Sequence, residues 1–306
     1  MITCEQIEFK GWRNCIRLAN DTVELIITTE VGPRIISYAL RGGKNVFKTY
    51  EEMMGVTSGT EWMIFGGHRL WHAPEDPVRT YAPDFAPVAC DWDGKTLVLR
   101  PPEEANTGIR KEITIEVADT GSGVTVLHRI YNHNLWDVEL APWCLSVMDR
   151  GARAIAPQEP FGSHDDHLLP VRPLVLWPFT DMADPRWTWG TRYIQLQQDP
   201  DRPTPQKVGL FNTHGWVACT VNGALFVVKY PVHRNQPHAD MGANTEFFTN
   251  GDMLEVETLG PLTRIAPGGN VAHTEHWGLF PVPPADEGSV SEALLLPLIA
   301  EVPDVV

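Results

Sequence analysis

The feature that most constrains this chain is its punctuation. Short runs rich in β-branched and aromatic residues recur along most of its length, each closed by turn-forming residues, while a helical period is nearly absent. Residues 22–47 hold two such runs joined at Gly32-Pro33, which reads as a hairpin. Runs at 95–100, 113–117 and 124–131 follow as a meander, separated by Asn106-Thr107-Gly108 and Thr120-Gly121-Ser122-Gly123. A further strand at 138–148 contains Pro142, which should place it at an edge or a bend. Runs at 193–196, 207–210, 215–221, 224–229, 253–258, 262–265 and 270–280 continue the series, with Asn222-Gly223 as its strongest hairpin signal. The segment 289–299 is the helical candidate. Many short strands at this spacing specify an all-β antiparallel sandwich. With no break in composition, residues 1–306 are expected to form one domain, carrying a long functional loop without period at about 157–192.

Composition narrows the function. Apolar residues make up 43%, enough for a substantial core. A net charge of −15 opposes nucleic acid or an anionic membrane surface as partner, since both require a basic face. No apolar run approaches a membrane span, and the N-terminus lacks the charged-then-apolar order of a signal peptide, so a cytoplasmic protein is expected. The 5 scattered cysteines contain no C-x-x-C pair and suit buried thiols. Nucleophile elbow, phosphate loop, dinucleotide fingerprint and H-E-x-x-H are all absent, which argues against phosphoryl transfer, hydride transfer and zinc proteolysis. No cofactor and no metal is expected.

The stretch FGGHRLWHAPEDP, from Phe65 to Pro77, is the densest in chemistry. Gly66-Gly67 allows a turn and a close backbone approach. His68, Arg69, Trp71, His72 and Glu75 follow, closed by two prolines that forbid a regular helix. Titratable imidazoles, a fixed charge and a flat apolar face suit a pocket for a polar, oxygen-rich small molecule, so the stretch is expected to be a binding loop. The run Leu254-Glu255-Val256-Glu257-Thr258 alternates apolar and acidic residues, so on a strand Glu255 and Glu257 share a face. Like charges that close raise one another's proton affinity.

The GPRI and GGKNVF segments of the first hairpin, the GGHRLW stretch, the LAPW strand and the run ETLGP before HTEHW resemble the galactose mutarotase-like (aldose 1-epimerase-like) superfamily, an uncharacterised bacterial branch in particular. The resemblance implies a large antiparallel supersandwich that binds a small-molecule carbohydrate. Mutarotases pair a carboxylate base with a histidine acid, and the resemblance places the base on Glu255. The family's strand histidine has no counterpart at Leu140-Ala141-Pro142-Trp143-Cys144, so His68 or His72 is expected to supply the proton. Arg69 is then a clamp on a sugar group, Trp71 and Trp143 are stacking platforms, and Glu257 and Glu75 are further binding residues.

Three readings follow: a cofactor-independent sugar epimerase, a non-catalytic carbohydrate-binding module, and a lyase or hydrolase on the same scaffold. Further clusters, His164 to His167, His233 with His238 and Asp240, and His273 with His276, carry metal-ligand residue types. On a strand His273 shares a face with Glu275, not with His276.

Overall fold

The structure, a computed structural model, describes residues 2–283 and 291–305. Two antiparallel sheets pack face to face. Numbered in chain order, the first runs β1 (Thr3–Phe9), β2 (Trp12–Ala19), β3 (Val23–Ile27), β4 (Ile35–Leu40), β5 (Gly67–Ala73), β10 (Val138–Met148), β19 (Leu254–Leu259), β18 (Thr245–Thr249), β15 (Gln206–Leu210) and β12 (Leu174–Leu176), with β20 (Thr263–Ile265) beside β10. The second runs β13 (Trp187–Trp189), β14 (Tyr193–Gln197), β11 (Arg153–Pro157), β16 (Trp216–Val221), β17 (Ala224–Lys229), β21 (Asn270–Pro281), β9 (Val124–Asn132), β8 (Ile109–Val117), β7 (Thr96–Arg100) and β6 (Ala89–Trp92). The expected all-β supersandwich is what forms.

Between the sheets lies one continuous core. Its centre is aromatic: Phe47 meets Phe226 edge-on at 5.6 Å between ring centroids, and both meet Trp277. The outer face of the second sheet is covered by α1 (Glu292–Glu301), whose Leu295 and Ile299 pack on Ile155, Trp216 and Leu225. Residues 289 and 290 of the expected helix lie outside the described residues. No helix among the described residues is long and apolar enough to cross a membrane.

Two expectations are corrected. Pro142 lies in the interior of the first sheet, not at its edge, because β10 changes partner there. It pairs with β20 as far as Leu140 and with β19 from Trp143, and the Pro142 carbonyl accepts from the Gly260 N–H at 2.9 Å in the gap. The missing proline N–H therefore falls where no ladder bond is required. The presumed loop at 65–77 is mostly strand: β5 pairs with β10 from Gly67 to Ala73, and all seven of its residues are buried. Its mixed chemistry reflects two buried faces, each with its own polar partners. The aperiodic 157–192 segment likewise contributes two short edge strands, β12 and β13.

The glycines that precede β5 do what their chemistry allows. Gly66 has φ +98° and a Cβ there would stand 2.0 Å from the Lys48 carbonyl oxygen; Gly67 has φ +70° and would meet the Ile35 oxygen at 2.5 Å. Gly121 also has positive φ but nothing within 4 Å. Gly66→Ala should therefore lose at least about 2 kcal/mol more stability than Gly121→Ala, because it adds a backbone collision to the same conformational cost. Urea denaturation of the two variants measures the difference, and equal losses would show that the approach to Lys48 relaxes freely.

Candidate functional site

Strand alternation assigns the side chains of β5, β10, β19, β18 and β15 to two faces. Cross-strand partners share a face, and the register places Arg69 opposite Leu145, Leu145 opposite Glu257, and Glu257 opposite Glu246. Glu255 lies on the same face, opposite Val147 and Phe248, and Lys207 lies opposite Phe248. These residues form a charged array on the outer face of the first sheet. The Arg69 Nη2 donates to Glu255 Oε1 at 2.9 Å. Lys207 Nζ reaches Glu246 Oε2 at 2.8 Å and Glu257 Oε2 at 3.1 Å, and Trp143 Nε1 donates to that same Glu257 oxygen at 2.8 Å. Aromatic faces enclose both cations: Arg69 lies 4.2 Å from the Trp71 ring and 5.3 Å from Trp62, and Lys207 lies 4.8 Å from both Trp143 and Trp177.

Every member of the array is buried, so its charges interact in a poorly screened environment. Burial raises the proton affinity of Glu255, opposed by Arg69 and reinforced by Glu257. Burial pushes Glu246 well above the usual carboxylate range; Lys207 opposes the shift, while Glu257 and Asp240 add to it. For Lys207, burial alone would lower the ammonium's pKa, but Glu257 and Glu246 hold it above its ordinary value. Three carboxylates thus face two cations, and one Glu257 oxygen and the Arg69 Nε and Nη1 have no hydrogen-bond partner among the described residues.

Above the array opens a cavity of about 500 Å³, lined by Pro74, Glu75, Pro77, Tyr81, Trp143, Trp177, Lys207 and Asp240. That volume is typical of small-molecule sites. The Tyr81 hydroxyl donates to Glu75, and burial raises the proton affinity of Asp240, against the influence of Lys207. A second cavity, of about 430 Å³, is lined by Arg34, Trp62, Trp71, Asp84, Glu104 and Lys111 among others. Its carboxylates are each engaged, Asp84 with Arg34 at 2.6 Å, Glu104 with Lys111 at 2.6 Å and Glu103 with His133 at 2.7 Å. The first cavity is the better candidate because it lies over the charged array and, among the described residues, its carboxylates Glu75 and Asp240 have no ion-pair partner.

The expected site residues divide accordingly. Glu75 and Trp143 line the cavity, while Glu255, Glu257 and Arg69 lie beneath or beside it, held by one another and by Lys207. Trp71 packs against Trp62, Tyr81 and Trp143 and faces the second cavity. His68 and His72 are not partners of Glu255, and that pairing is corrected. Their position in β5 alternates with Arg69 and Trp71, which turns both histidines toward the other sheet. His68 Nε2 stands 2.7 Å from His128 Nε2 of β9, and burial lowers its pKa well below the ordinary value. His72 is lowered to about 4, by burial first and then by Lys111 of β8. Arg69 cannot clamp a sugar while sealed between two tryptophans.

Sequence reasoning missed Lys207, Glu246, Tyr81 and Trp177, and singled out Asp240 only with His233 and His238 as a metal-ligand residue type. Lys207 carried a signal, a lone cation heading a buried apolar strand, which demands a buried counter-charge. Asp240, Tyr81 and Trp177 lie in irregular segments where no period assigns a direction. Two of the clusters that carry metal-ligand residue types do not converge among the described residues: His164 and Asp165 are exposed, and His276 bonds the Pro303 carbonyl.

The fold, two large antiparallel sheets packed face to face, is like that of galactose mutarotase-like structures. Solved structures with this architecture include the Slr1438 protein of Synechocystis sp. PCC 6803, with TM-score 0.59 and 11% identity over 90% of this chain and 99% of that one. A galactose mutarotase-like protein of Lactobacillus casei ATCC 334 matches with TM-score 0.56 and 11% identity over 87% of this chain and 100% of its own. A candidate aldose 1-epimerase of Escherichia coli K12 matches with TM-score 0.52 and 13% identity over 92% of this chain and 100% of its own. No family model and no curated protein matches the sequence. At these identities the likeness is one of fold.

The array makes a prediction with a defined sign. Lys207→Met leaves Glu246 and Glu257 buried without their cation and should cost about 3–5 kcal/mol near neutral pH. Glu246 has a folded-state pKa above its unfolded value, so its contribution to stability is present at low pH and lost as pH rises. The loss in Lys207→Met should therefore shrink as the buffer is taken from about pH 8 to about pH 5. A loss that stays constant across that range would mean that the carboxylates are rehydrated, not stranded.

Proposed function

We propose that the cavity above the Lys207 array binds a carbohydrate of about monosaccharide size. The observation that carries this reading is the lining itself. Half-buried Trp177 offers an apolar face, and the buried Trp143 lines the floor, beside one ammonium, Lys207, and two carboxylates, Asp240 and Glu75. A sugar presents C–H faces that stack on indole and hydroxyl edges that both donate and accept, so it matches such a lining without a net charge of its own. A phosphorylated sugar fits poorly, because carboxylates outnumber cations in the lining. Arg34, Arg79 and Arg192 are paired elsewhere, with Asp84, Asp76 and Glu292.

A catalytic reading, isomerisation of the aldose 1-epimerase kind, is favoured by Asp240. This carboxyl lines the cavity and has a raised proton affinity, so it can hold a proton for the ring oxygen while a second carboxylate, Glu75, takes the proton of the anomeric hydroxyl. The ring then opens, rotates and closes on the other face. In this reading Asp240 takes the acid role expected of His68 or His72. Glu255 acts at one remove, through its field on Lys207.

Titration of the protein with a panel of aldoses by calorimetry tests binding, and NMR exchange between anomers tests catalysis. Trp177→Ala should weaken binding at least about 10-fold by removing a stacking face. Asp240→Asn should keep binding within a few-fold and slow anomer exchange by about 100-fold or more. If no aldose binds the wild-type protein, the whole reading fails. If sugar binds and exchange is not accelerated, the protein binds carbohydrate without turning it over.

A further inference from the structure

The interior between the sheets contains a polar cluster that the cavity does not use. It draws on four strands: His68 from β5, Ser146 from β10, His128 from β9, and His273 and Glu275 from β21. His68 Nε2 and His128 Nε2 face each other at 2.7 Å, and Glu275 Oε2 stands 3.8 Å from the same His68 nitrogen. The three donor atoms lie within 4.8 Å of one another, all on buried residues. Around them is apolar core, including Leu70, Val126 and Trp277, the last meeting the His68 ring edge-on at 4.7 Å.

We propose that His68, His128 and Glu275 bind a divalent transition ion of the zinc class, which ties the two sheets together. The anchoring of each ligand supports this. His128 Nδ1 lies 3.2 Å from the His273 carbonyl, an acceptor only, so Nδ1 carries the proton and Nε2 presents its lone pair inward. His68 Nδ1 lies 2.9 Å from Ser146 Oγ, a hydroxyl that accepts or donates as required. Glu275 Oε2 accepts from Trp277 Nε1 at 2.8 Å, and Thr258 donates to its other oxygen. Metal-ligating histidines are held in this way, with the remote ring nitrogen bonded to a carbonyl or hydroxyl and the near one left for the ion.

Without an ion, the 2.7 Å contact requires a proton on His68 Nε2, with Ser146 donating to Nδ1. Binding moves that proton across the same ring to Nδ1, now donating to Ser146, with no net exchange between the histidines. In a tetrahedral zinc site the two nitrogens would separate to about 3.3 Å, a small adjustment of two rings. Among the described residues the only ion-pair contact of Glu275 is His68, beyond hydrogen-bond distance, so no other cation competes for the position between them. An overlapping group of Cys144, His273 and Glu275 lies alongside and shares the Glu275 carboxylate. The ion's place, behind β10 and β19, is separated from the carbohydrate cavity by the thickness of the sheet, so the role is structural and independent of the sugar-binding proposal.

The test is metal content and metal-dependent stability of the full chain. Protein refolded with Zn²⁺ and desalted should retain about one equivalent, and protein refolded with Co²⁺ should show the visible absorption of a tetrahedral site. Refolding under a chelator should lower the melting midpoint by roughly 5 °C or more. His128→Gln should retain less than about a tenth of the ion and show no chelator effect. If that variant does not fold, the wild-type Co²⁺ spectrum decides. Wild-type protein that takes up neither ion and melts identically with and without chelator overturns the proposal, leaving a hydrogen-bonded histidine pair.

Discussion

A strand buried on both faces obeys a period of two, and that constraint governs this structure. β5, β10 and β19 lie side by side at the middle of the first sheet, so each must satisfy an apolar interior on one side and a charged surface on the other. His68 and Arg69 are neighbours in sequence, yet they belong to different environments, separated by the sheet itself. The same holds for Ser146 against Leu145 and for Thr258 against Glu257. Because the strands are in fixed register, these three strands give alternating residues to a polar cluster in the core, completed by β9 and β21, and to a buried charged array on the outer face, completed by β18 and β15.

The outer array is held by a balance of desolvation and pairing. Taking three glutamates and two cations out of water is costly, and only the mutual contacts of Arg69, Glu255, Glu257, Glu246 and Lys207, with the aromatic faces of Trp62, Trp71, Trp143 and Trp177, offset that cost. Such an arrangement is rigid, since each charge loses its partner if a neighbour moves. It also sets the field of the cavity above. Burial raises the proton affinity of Asp240, Lys207 and Glu246 of the floor oppose that shift, and Glu257 adds to it, so the floor acts on a group that it does not itself expose. A pocket of this kind combines a preorganised electrostatic background with a few reachable polar atoms, which is the form that both selective binding and proton transfer require.

The interior cluster is built on a different principle. There the histidines are neutral, His128 and His273 being lowered to about 3 with burial as the leading cause, and their hydrogen bonds run to carbonyls and hydroxyls more than to charges. The two polar sites therefore differ in what they can do. The outer one presents charge to a cavity, and the inner one presents lone pairs to a closed space between two sheets.

Much of the architecture was legible in the sequence. Turn-formers such as Asn222-Gly223 and the alternation at 254–258 specified antiparallel strands and put Glu255 and Glu257 on one face, because both signals are local and follow from backbone geometry. The β-rich composition determined the class of fold, and Gly66-Gly67 announced a close approach of backbones. Tertiary structure alone decided which face met which partner. Local sequence could not show that β5 is covered on both sides, so a mixed polar stretch looked like a loop, and His68 and His72 were assigned to the same cavity as Glu255. Nor could it show that Pro142 sits where β10 exchanges β20 for β19, or that Lys207, Asp240, Tyr81 and Trp177 converge from segments far apart in the chain. Strand periodicity is a property of a few residues, whereas the identity of what lies across a sheet is a property of the whole fold.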